Sequence, residues 1–291
     1  MATGPILVTG GTGQVARALA DAAGARAVRV VGRPAFDFDE PAGLHPLLRA
    51  VAPSLVVNAA AYTAVDKAES DVDAAFRANR DGPAALAEYC AAAGIPLIHI
   101  STDYVFDGRK GSPYVETDAT SPTGVYGASK LAGEQAVLAS GARTIILRTS
   151  WVYAATGKNF VLTMLNAARK TDRLRVVGDQ RGCPTAAADL AAAILAIADR
   201  LPDGGNGGDI YHAAGSGQTT WHGLAECVFE AAARHGVARP AVAAITTADW
   251  PTPARRPPDS RLDCGKLHQV FGLTLPRWQD SVARTVAQIL G

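Results

Sequence analysis

The chain has 291 residues, 48% hydrophobic and 19% charged, enough apolar surface for a large core and too much for a disordered chain or a disulfide-stapled miniprotein. Its 28 basic and 27 acidic residues leave a net charge of +1 with no run of like charge, which argues against a nucleic-acid partner held by a basic face. The longest strongly apolar stretch outside strand-like segments, Leu190 to Ala198, is nine residues between two aspartates, far short of the ~20 that span a bilayer.

The first strand is expected at Ile6 to Thr9. Only Met1 to Pro5 precede it, without a basic residue, so no signal peptide is expected. Directly after it comes Gly10-Gly11-Thr12-Gly13-Gln14-Val15-Ala16, then a helical pattern from Arg17 to Ala23. Glycines at Gly10 and Gly13 let the backbone turn tightly and approach a pyrophosphate, which the free N–H groups and dipole of the following helix stabilise. Ala16 stands where close helix-strand packing needs a small residue. The alternative is an ordinary tight turn between strand and helix.

A second strand, Val28 to Val31, leads into Gly32 and Arg33. The residue about 20 positions beyond the glycine turn selects at the ribose 2′ position. An arginine there accommodates a 2′-phosphate, whereas a carboxylate would bond a free hydroxyl. NADPH is therefore expected, with NADH as the alternative if Asp37 or Asp39 reaches back toward the adenosine. Arg33, Asp37 and Phe38 form the expected adenosine end of the cofactor site.

Further strands are expected at Leu55 to Asn58, Leu97 to Ser101 and Thr144 to Arg148, between Ala-rich stretches with helical spacing. The alternation predicts βαβ units, and the continuous apolarity of ILVT and LVVN predicts strands buried on both faces. The fold class is thus α/β, a Rossmann-type doubly wound parallel sheet with a smaller carboxyl-terminal cap. Between the last two strands, Tyr126 and Lys130 share one face of a predicted helix. A phenol titrates near 10, so a nearby ammonium would bring it toward a working pH. Thr102, at the carboxyl end of the fourth strand, offers a hydroxyl to a substrate oxygen.

The second half predicts a strand at Arg175 to Val177, a helix at about Thr185 to Arg200, a Gly-rich turn from Asp203 to Asp209, and a helix at about Trp221 to His235. The Pro-rich stretch from Pro240 to Pro258 is expected to be extended or looped. Residues 1–150 and about 175–220 are expected to form the dinucleotide-binding domain, with about 151–174 and 221–291 forming a substrate-binding domain over the sheet's carboxyl edge. Cys90, Cys183, Cys227 and Cys264 are scattered with no CxxC pair, so neither a disulfide framework nor a zinc cage is expected and a reducing cytoplasm fits. His45, His99, His212, His222, His235 and His268 show no metal-ligand spacing.

Together these pieces resemble the extended short-chain dehydrogenase/reductase family, and within it the branch of reductases acting on dTDP-4-dehydrorhamnose. The resemblance runs over nearly the whole chain: GGTGQV at the start, VVNAAAYTAVDKAES at 56–70, STDYVFDG at 101–108, ETDATSPTGVYGASKLAGE at 116–134, RTSWVY at 148–153, DQRGCPT at 179–185, and the closing PTPA.RP..SRL at 251–262. It implies NADPH-dependent reduction of the C4 ketone of dTDP-4-dehydro-β-L-rhamnose, the last step in making dTDP-L-rhamnose. Carried over by position, Tyr126 is the proton donor, Lys130 holds the ribose and tunes Tyr126, and Thr102 with Asp103 contacts the sugar. Trp151 would complete the sugar site, with simple packing as its alternative. Gly13, Gln14 and Val15 match the pyrophosphate contacts, and Ala61, Tyr62 and Thr63 match the strand end that touches the cofactor, where Asn58 fixes the loop. Arg255 or Arg256 would clamp the diphosphate, with Arg255 taken as the substrate-site residue.

One departure stands out. Some members of the family dimerise around a magnesium ion held by glutamates, and the first two matching positions here are Ala18 and Ala188. Alanine offers no oxygen ligand, so no structural metal is expected, and the chain is expected to be a monomer or a weak dimer without a metal bridge. Competing readings are a non-catalytic nucleotide-binding subunit, a ketoreductase for another nucleotide-linked deoxysugar, and an epimerase of the same superfamily.

Overall fold

The computed structural model describes residues 4–40, 43–201 and 208–291. Its first half runs β1 (Ile6–Thr9), α1 (Gln14–Asp21), β2 (Val28–Val31), α2 (Leu44–Val51), β3 (Leu55–Asn58), α3 (Val65–Ala68), α4 (Val72–Phe76), a π-helical turn (Arg77–Asp81), α5 (Gly82–Ala93), β4 (Leu97–Thr102), a 3₁₀ turn (Asp103–Val105), α6 (Val125–Ala139) and β5 (Thr144–Thr149). The second half runs β6 (Val152–Tyr153), α7 (Phe160–Ala168), β7 (Arg173–Val177), β8 (Arg181–Gly182), β9 (Thr185–Ala186), α8 (Ala187–Ala198), β10 (Asp209–His212), β11 (Thr219–Thr220), α9 (Trp221–Ala233), β12 (Ala241–Ile245), α10 (Gly265–Phe271) and α11 (Trp278–Leu290).

The apolar runs form a six-stranded parallel sheet in the order β10-β5-β4-β3-β1-β2. Every residue of β3 and β5 is buried, as strands covered on both faces require. On one face α1 and α8 contribute Ala16, Leu19, Leu190, Ile194 and Ile197. On the other, α2 and α5 contribute Leu48, Val51, Leu86 and Cys90, packed on Val56, Leu97 and Ile146. Each such Leu or Ile gains about 1.5–3 kcal/mol from burial. The order reverses between β1 and β3, so the crevice that binds ligands in open α/β sheets lies beyond Thr9 and Asn58.

Smaller sheets pair β7 with β12, β8 with β11 and β6 with β9 over the carboxyl edge. Leu224, Val228 and Phe229 of α9 pack with Val161, Val176, Val282 and Val286 in a second core. Of the span 175–220, expected on the nucleotide side, α8 and β10 lie on the main sheet, whereas β7 pairs with β12 in the cap. Thr185 and Ala186, expected as helix, pair as β9 with β6 instead. Within the Pro-rich stretch, Ala241–Ile245 is the extended strand β12 and Thr247–Asp249 a 3₁₀ turn. Most of the expected turn at Asp203 to Asp209 lies outside the described residues.

Among the described residues no helix is long and apolar enough to cross a membrane, and no group of three or more His, Cys, Asp or Glu is placed to hold a metal ion. Ala18 and Ala188 line a surface cavity of about 310 Å³ together with Arg17, Tyr153 and Thr285. All four cysteines are free.

Candidate active site

The glycine turn brings three segments together at the crevice. Gly10 has φ 109°, and a Cβ there would lie 2.9 Å from the Ala59 carbonyl oxygen. A Cβ on Gly32 would lie 2.5 Å from Gly11 Cα, so the end of β2 closes directly on the turn. No side chain caps α1 and no acidic residue sits in its first turn, which leaves a positive helix end facing the crevice. Bare donors, tight backbone and absent carboxylates suit a pyrophosphate. Gln14 is held from the cap side, since Asn159 Nδ2 donates to its Oε1 at 2.9 Å and to the Ala154 carbonyl at 2.8 Å.

Arg33 is exposed at the end of β2, paired with Asp37 at 2.6 Å and Asp39 at 2.7 Å. Arg77, which sequence reasoning missed, pairs with Asp39 from the π-helical turn at 3.1 Å. Asp37 is half-buried, and hydrogen bonds from Arg33 and the Asp39 N–H outweigh its burial and hold its carboxyl below the usual range. Phe38 packs edge-on to Phe36 and its ring lies against Gly82, so it is anchored in the layer under the sheet. Arg33→Ala is expected to weaken NADPH relative to NADH by about tenfold, a charge-assisted contact discounted for exposure. Dissociation constants for both cofactors check this; equal losses would place the selector elsewhere.

Asn79 organises the loop after β3. Its Oδ1 accepts from Tyr62 N at 2.8 Å, and its Nδ2 donates to the Tyr62 carbonyl at 3.1 Å and to Ser129 Oγ at 3.0 Å. Ser129 in turn donates to the Tyr126 carbonyl at 2.9 Å, so Ala61, Tyr62 and Thr63 are tied to the helix that carries Tyr126. The signal for Asn79 was its placement in a π-helical turn, a feature concentrated at functional sites and invisible to periodicity.

Small residues on α6 explain why Tyr126 reaches the strand end. A Cβ on Gly127 would lie 2.2 Å from the Tyr104 carbonyl oxygen, so nothing larger permits this approach. Thr102 caps the 3₁₀ turn by accepting from Tyr104 N at 3.2 Å and donates to Asp103 Oδ1 at 3.0 Å. The Tyr126 phenol lies beside Thr102, and Tyr104 meets its ring edge-on at 5.6 Å. Burial pushes the Tyr126 phenol up to about 12, with the Thr102 contact opposing. A phenol held neutral beside a hydroxyl is a proton donor across the neutral range.

Lys130 is buried on the same helix. Its Nζ donates to the Ile100 carbonyl at 2.7 Å and lies 3.5 Å from His99 Nε2. The ammonium is drawn to a strand carbonyl, and burial brings it down to about 8. Beside burial, Asp103 raises the phenol and Thr102 opposes it.

Asp103 is buried and its carboxyl is pushed up to about 7 by burial, with Ser260 and Thr102 hydrogen bonds opposing. The unfolded chain loses this proton near 3.8, so between that value and about 7 the folded state holds a proton the unfolded state lacks. Stability therefore falls as pH rises through that window. Asp103→Asn is expected to raise Tm more at pH 8 than at pH 5, by about 2–4 °C for each 1 kcal/mol regained. Equal changes at both pH values, measured calorimetrically, would contradict the shift.

Toward the cap, Trp151 has φ 49°, an outlier for an aromatic residue that costs about 1–3 kcal/mol and clusters at ligand sites. Its indole stacks on Trp221 at 3.5 Å and covers Gly182, where a Cβ would lie 2.3 Å away. Trp221 was not singled out as a site residue because its partner is distant in sequence. Of the two arginines, Arg256 turns inward: it pairs with Asp66 at 2.8 Å and donates to the Ala254 carbonyl at 3.2 Å. Arg255, expected in the substrate site, is exposed, and its backbone carbonyl accepts from Thr123 Oγ1 at 3.3 Å.

Known proteins are similar to this chain over nearly its whole length. The dTDP-4-dehydrorhamnose reductase of Sinorhizobium fredii is 47% identical over 288 residues, 98% of this chain and 97% of its own. That of Escherichia coli K12 is 45% identical over 258 residues, 87% of this chain and 85% of its own. Among solved structures, a dTDP-4-dehydrorhamnose reductase from Bacillus anthracis in complex with NADP superposes with a TM-score of 0.91 at 30% identity, over 98% of this chain and 99% of that one. A model of the RmlD substrate binding domain matches residues 4–290, and with relatives of this similarity over nearly their whole length the chain belongs to that family.

Proposed function

We propose that this protein reduces the C4 ketone of dTDP-4-dehydro-β-L-rhamnose to dTDP-β-L-rhamnose with NADPH, the last step of dTDP-L-rhamnose biosynthesis. The observation that carries the reading is the Tyr126 phenol, kept neutral by burial and set beside Thr102 at the carboxyl end of β4, in a chain 47% identical to a dTDP-4-dehydrorhamnose reductase. NADPH, when bound, supplies the hydride. The turn at Gly10, Gly13, Gln14 and Val15 takes the pyrophosphate, Arg33 the adenosine phosphate, and the loop at Ala61, Tyr62 and Thr63 the strand-end side of the cofactor. Thr102 orients the ketone oxygen, and Tyr126 gives up its phenolic proton as charge develops there. Lys130 holds the ribose side, and Asp103 bonds a sugar hydroxyl. The stacked Trp151 and Trp221 give the sugar an apolar wall. The protein works in the cytoplasm, as a monomer or a weak dimer without a metal bridge, on a dTDP-linked sugar.

Arg256 is assigned the diphosphate. Arg256→Ala is expected to raise KM for the nucleotide sugar by about 10–100-fold, as loss of a charge-assisted contact does, while Arg255→Ala leaves it nearly unchanged. Initial rates against substrate concentration check this, and the opposite ranking would restore Arg255. The reading as a whole is tested by the loss of NADPH absorbance when purified protein meets the dTDP-4-keto sugar. Continuous stoichiometric consumption is expected. A protein that purifies with tightly bound nucleotide and consumes no added NADPH would be an epimerase instead.

A further inference from the structure

Glu69, in the run VDKAES, has no part in the chemistry above. It follows directly on the single turn of α3, and Asp66 stands three residues earlier on the same face. Both carboxylates reach distant elements. Asp66 accepts from Ala254 N at 3.2 Å and from Arg256 Nη1 and Nη2 at 3.0 and 2.8 Å, so it holds the arginine assigned to the diphosphate. Glu69 Oε1 accepts from Val125 N at 2.9 Å, across 56 positions of the chain.

Val125 opens α6, and Tyr126 is the second residue of that helix. Its first intrahelical bond runs from Ala128 N to the Gly124 carbonyl, so the N–H groups of Val125, Tyr126 and Gly127 need partners from elsewhere. α6 brings no cap of its own: Gly124 stands at the N-cap, and the first turn holds no acidic residue. Glu69 is therefore a cap supplied from another element, with the negative charge that a helix N-terminus favours. A first turn that frays carries its second residue with it, and a displacement of about 1 Å at a reacting group can cost 10²-fold in rate.

Room is kept for this contact at Gly124. Its φ of −150° is extended backbone open to any residue, so glycine is not needed there for conformational freedom. A Cβ at Gly124 would instead lie 2.6 Å from Glu69 Oε1, while its next neighbours, at 3.7 and 3.9 Å, are at ordinary contact distance. The one atom that a methyl group would displace is the capping oxygen.

We propose that Glu69 is a positioning residue for Tyr126. Its carboxylate caps α6 and fixes the turn that presents the phenol, while Asp66 beside it fixes Arg256, so proton donor and diphosphate arginine are set from one support. The proposal rests on the reductase reading for what Tyr126 does to a substrate; the cap belongs to the ligand-free protein.

Glu69→Ala is expected to lower kcat by about 10–100-fold, with NADPH affinity and KM for the nucleotide sugar nearly unchanged. Glu69→Gln is expected to keep turnover near that of the wild type, because the amide oxygen accepts the same N–H. Gly124→Ala leaves Glu69 in place but pushes its oxygen aside, and it is expected to match Glu69→Ala. The double variant is expected to lose no more than either single one, since both remove one contact. Gly124→Ala carries the test if Glu69→Ala does not fold. Amide exchange in the ligand-free proteins reads the cap without turnover: the Val125 N–H is expected to exchange about tenfold faster in Glu69→Ala and at the wild-type rate in Glu69→Gln. Unchanged kcat or unchanged exchange in Glu69→Ala overturns the proposal. So does an equal loss in Glu69→Gln, which would make the charge and not the cap responsible, and so does a loss of NADPH affinity in place of kcat. A wild-type protein inactive on the dTDP-4-keto sugar would remove the reductase reading instead, and the exchange rates would still decide the cap.

Discussion

Tyr126→Phe is expected to lower turnover by about 10²–10⁴-fold while leaving NADPH affinity nearly unchanged, the loss typical of removing a positioned general acid. The variant keeps the ring, its edge contact with Tyr104 and the packing of α6 on the 3₁₀ turn, so the change is confined to one hydroxyl. The phenol meets the reacting oxygen only as charge appears on it, and a transition-state contact of this kind lowers kcat and kcat/KM together. Fluorescence titration of NADPH and single-turnover rates separate the two effects. Unchanged turnover would remove the proton-donor role. A parallel loss of NADPH affinity would make the phenol a cofactor contact instead.

Arg148→Met is expected to destabilise the fold by about 3–5 kcal/mol, because it leaves a buried carboxylate without its partner. Arg148 and Glu134 side chains are 3% and 1% exposed, and the guanidinium bonds both carboxylate oxygens, through Nε at 2.9 Å and Nη2 at 2.7 Å. Phe106 covers the guanidinium at 5.1 Å, so water does not reach the pair from that side. Adding Glu134→Leu to the same variant is expected to recover much of the loss, since removing both charges ends the desolvation cost of each. Thermal unfolding checks this. A fall worth less than about 1 kcal/mol, the range of an exposed pair, would show that water reaches Glu134.

The sheet was legible because burial on both faces leaves a signature in composition: ILVT and LVVN have no polar face, and the punctuation around them is glycine, proline and asparagine. The Tyr126–Lys130 spacing was legible for the same kind of reason, one helical turn being a local geometry. What the lysine does was not. Its Nζ is directed by the Ile100 carbonyl and by His99, and those partners come from a different strand. Arg256 differs from Arg255 through the Asp66 carboxylate that it meets, a partner far away in sequence. Trp221 meets Trp151 across two elements of the cap, and β7 finds β12 far along the chain. Periodicity reports which face of an element is apolar, and it carries no information about which distant element will cover that face.

The central claim is that a hydride reaches C4 of a dTDP-linked 4-keto sugar at this site. NADPH carrying deuterium at C4 of the nicotinamide, on the transferred face, is supplied with dTDP-4-dehydro-β-L-rhamnose and the purified protein, and the product is read by mass and NMR. One deuterium at C4 of dTDP-β-L-rhamnose is expected, with the corresponding loss from the cofactor. Product without deuterium, or deuterium at another carbon, would contradict it.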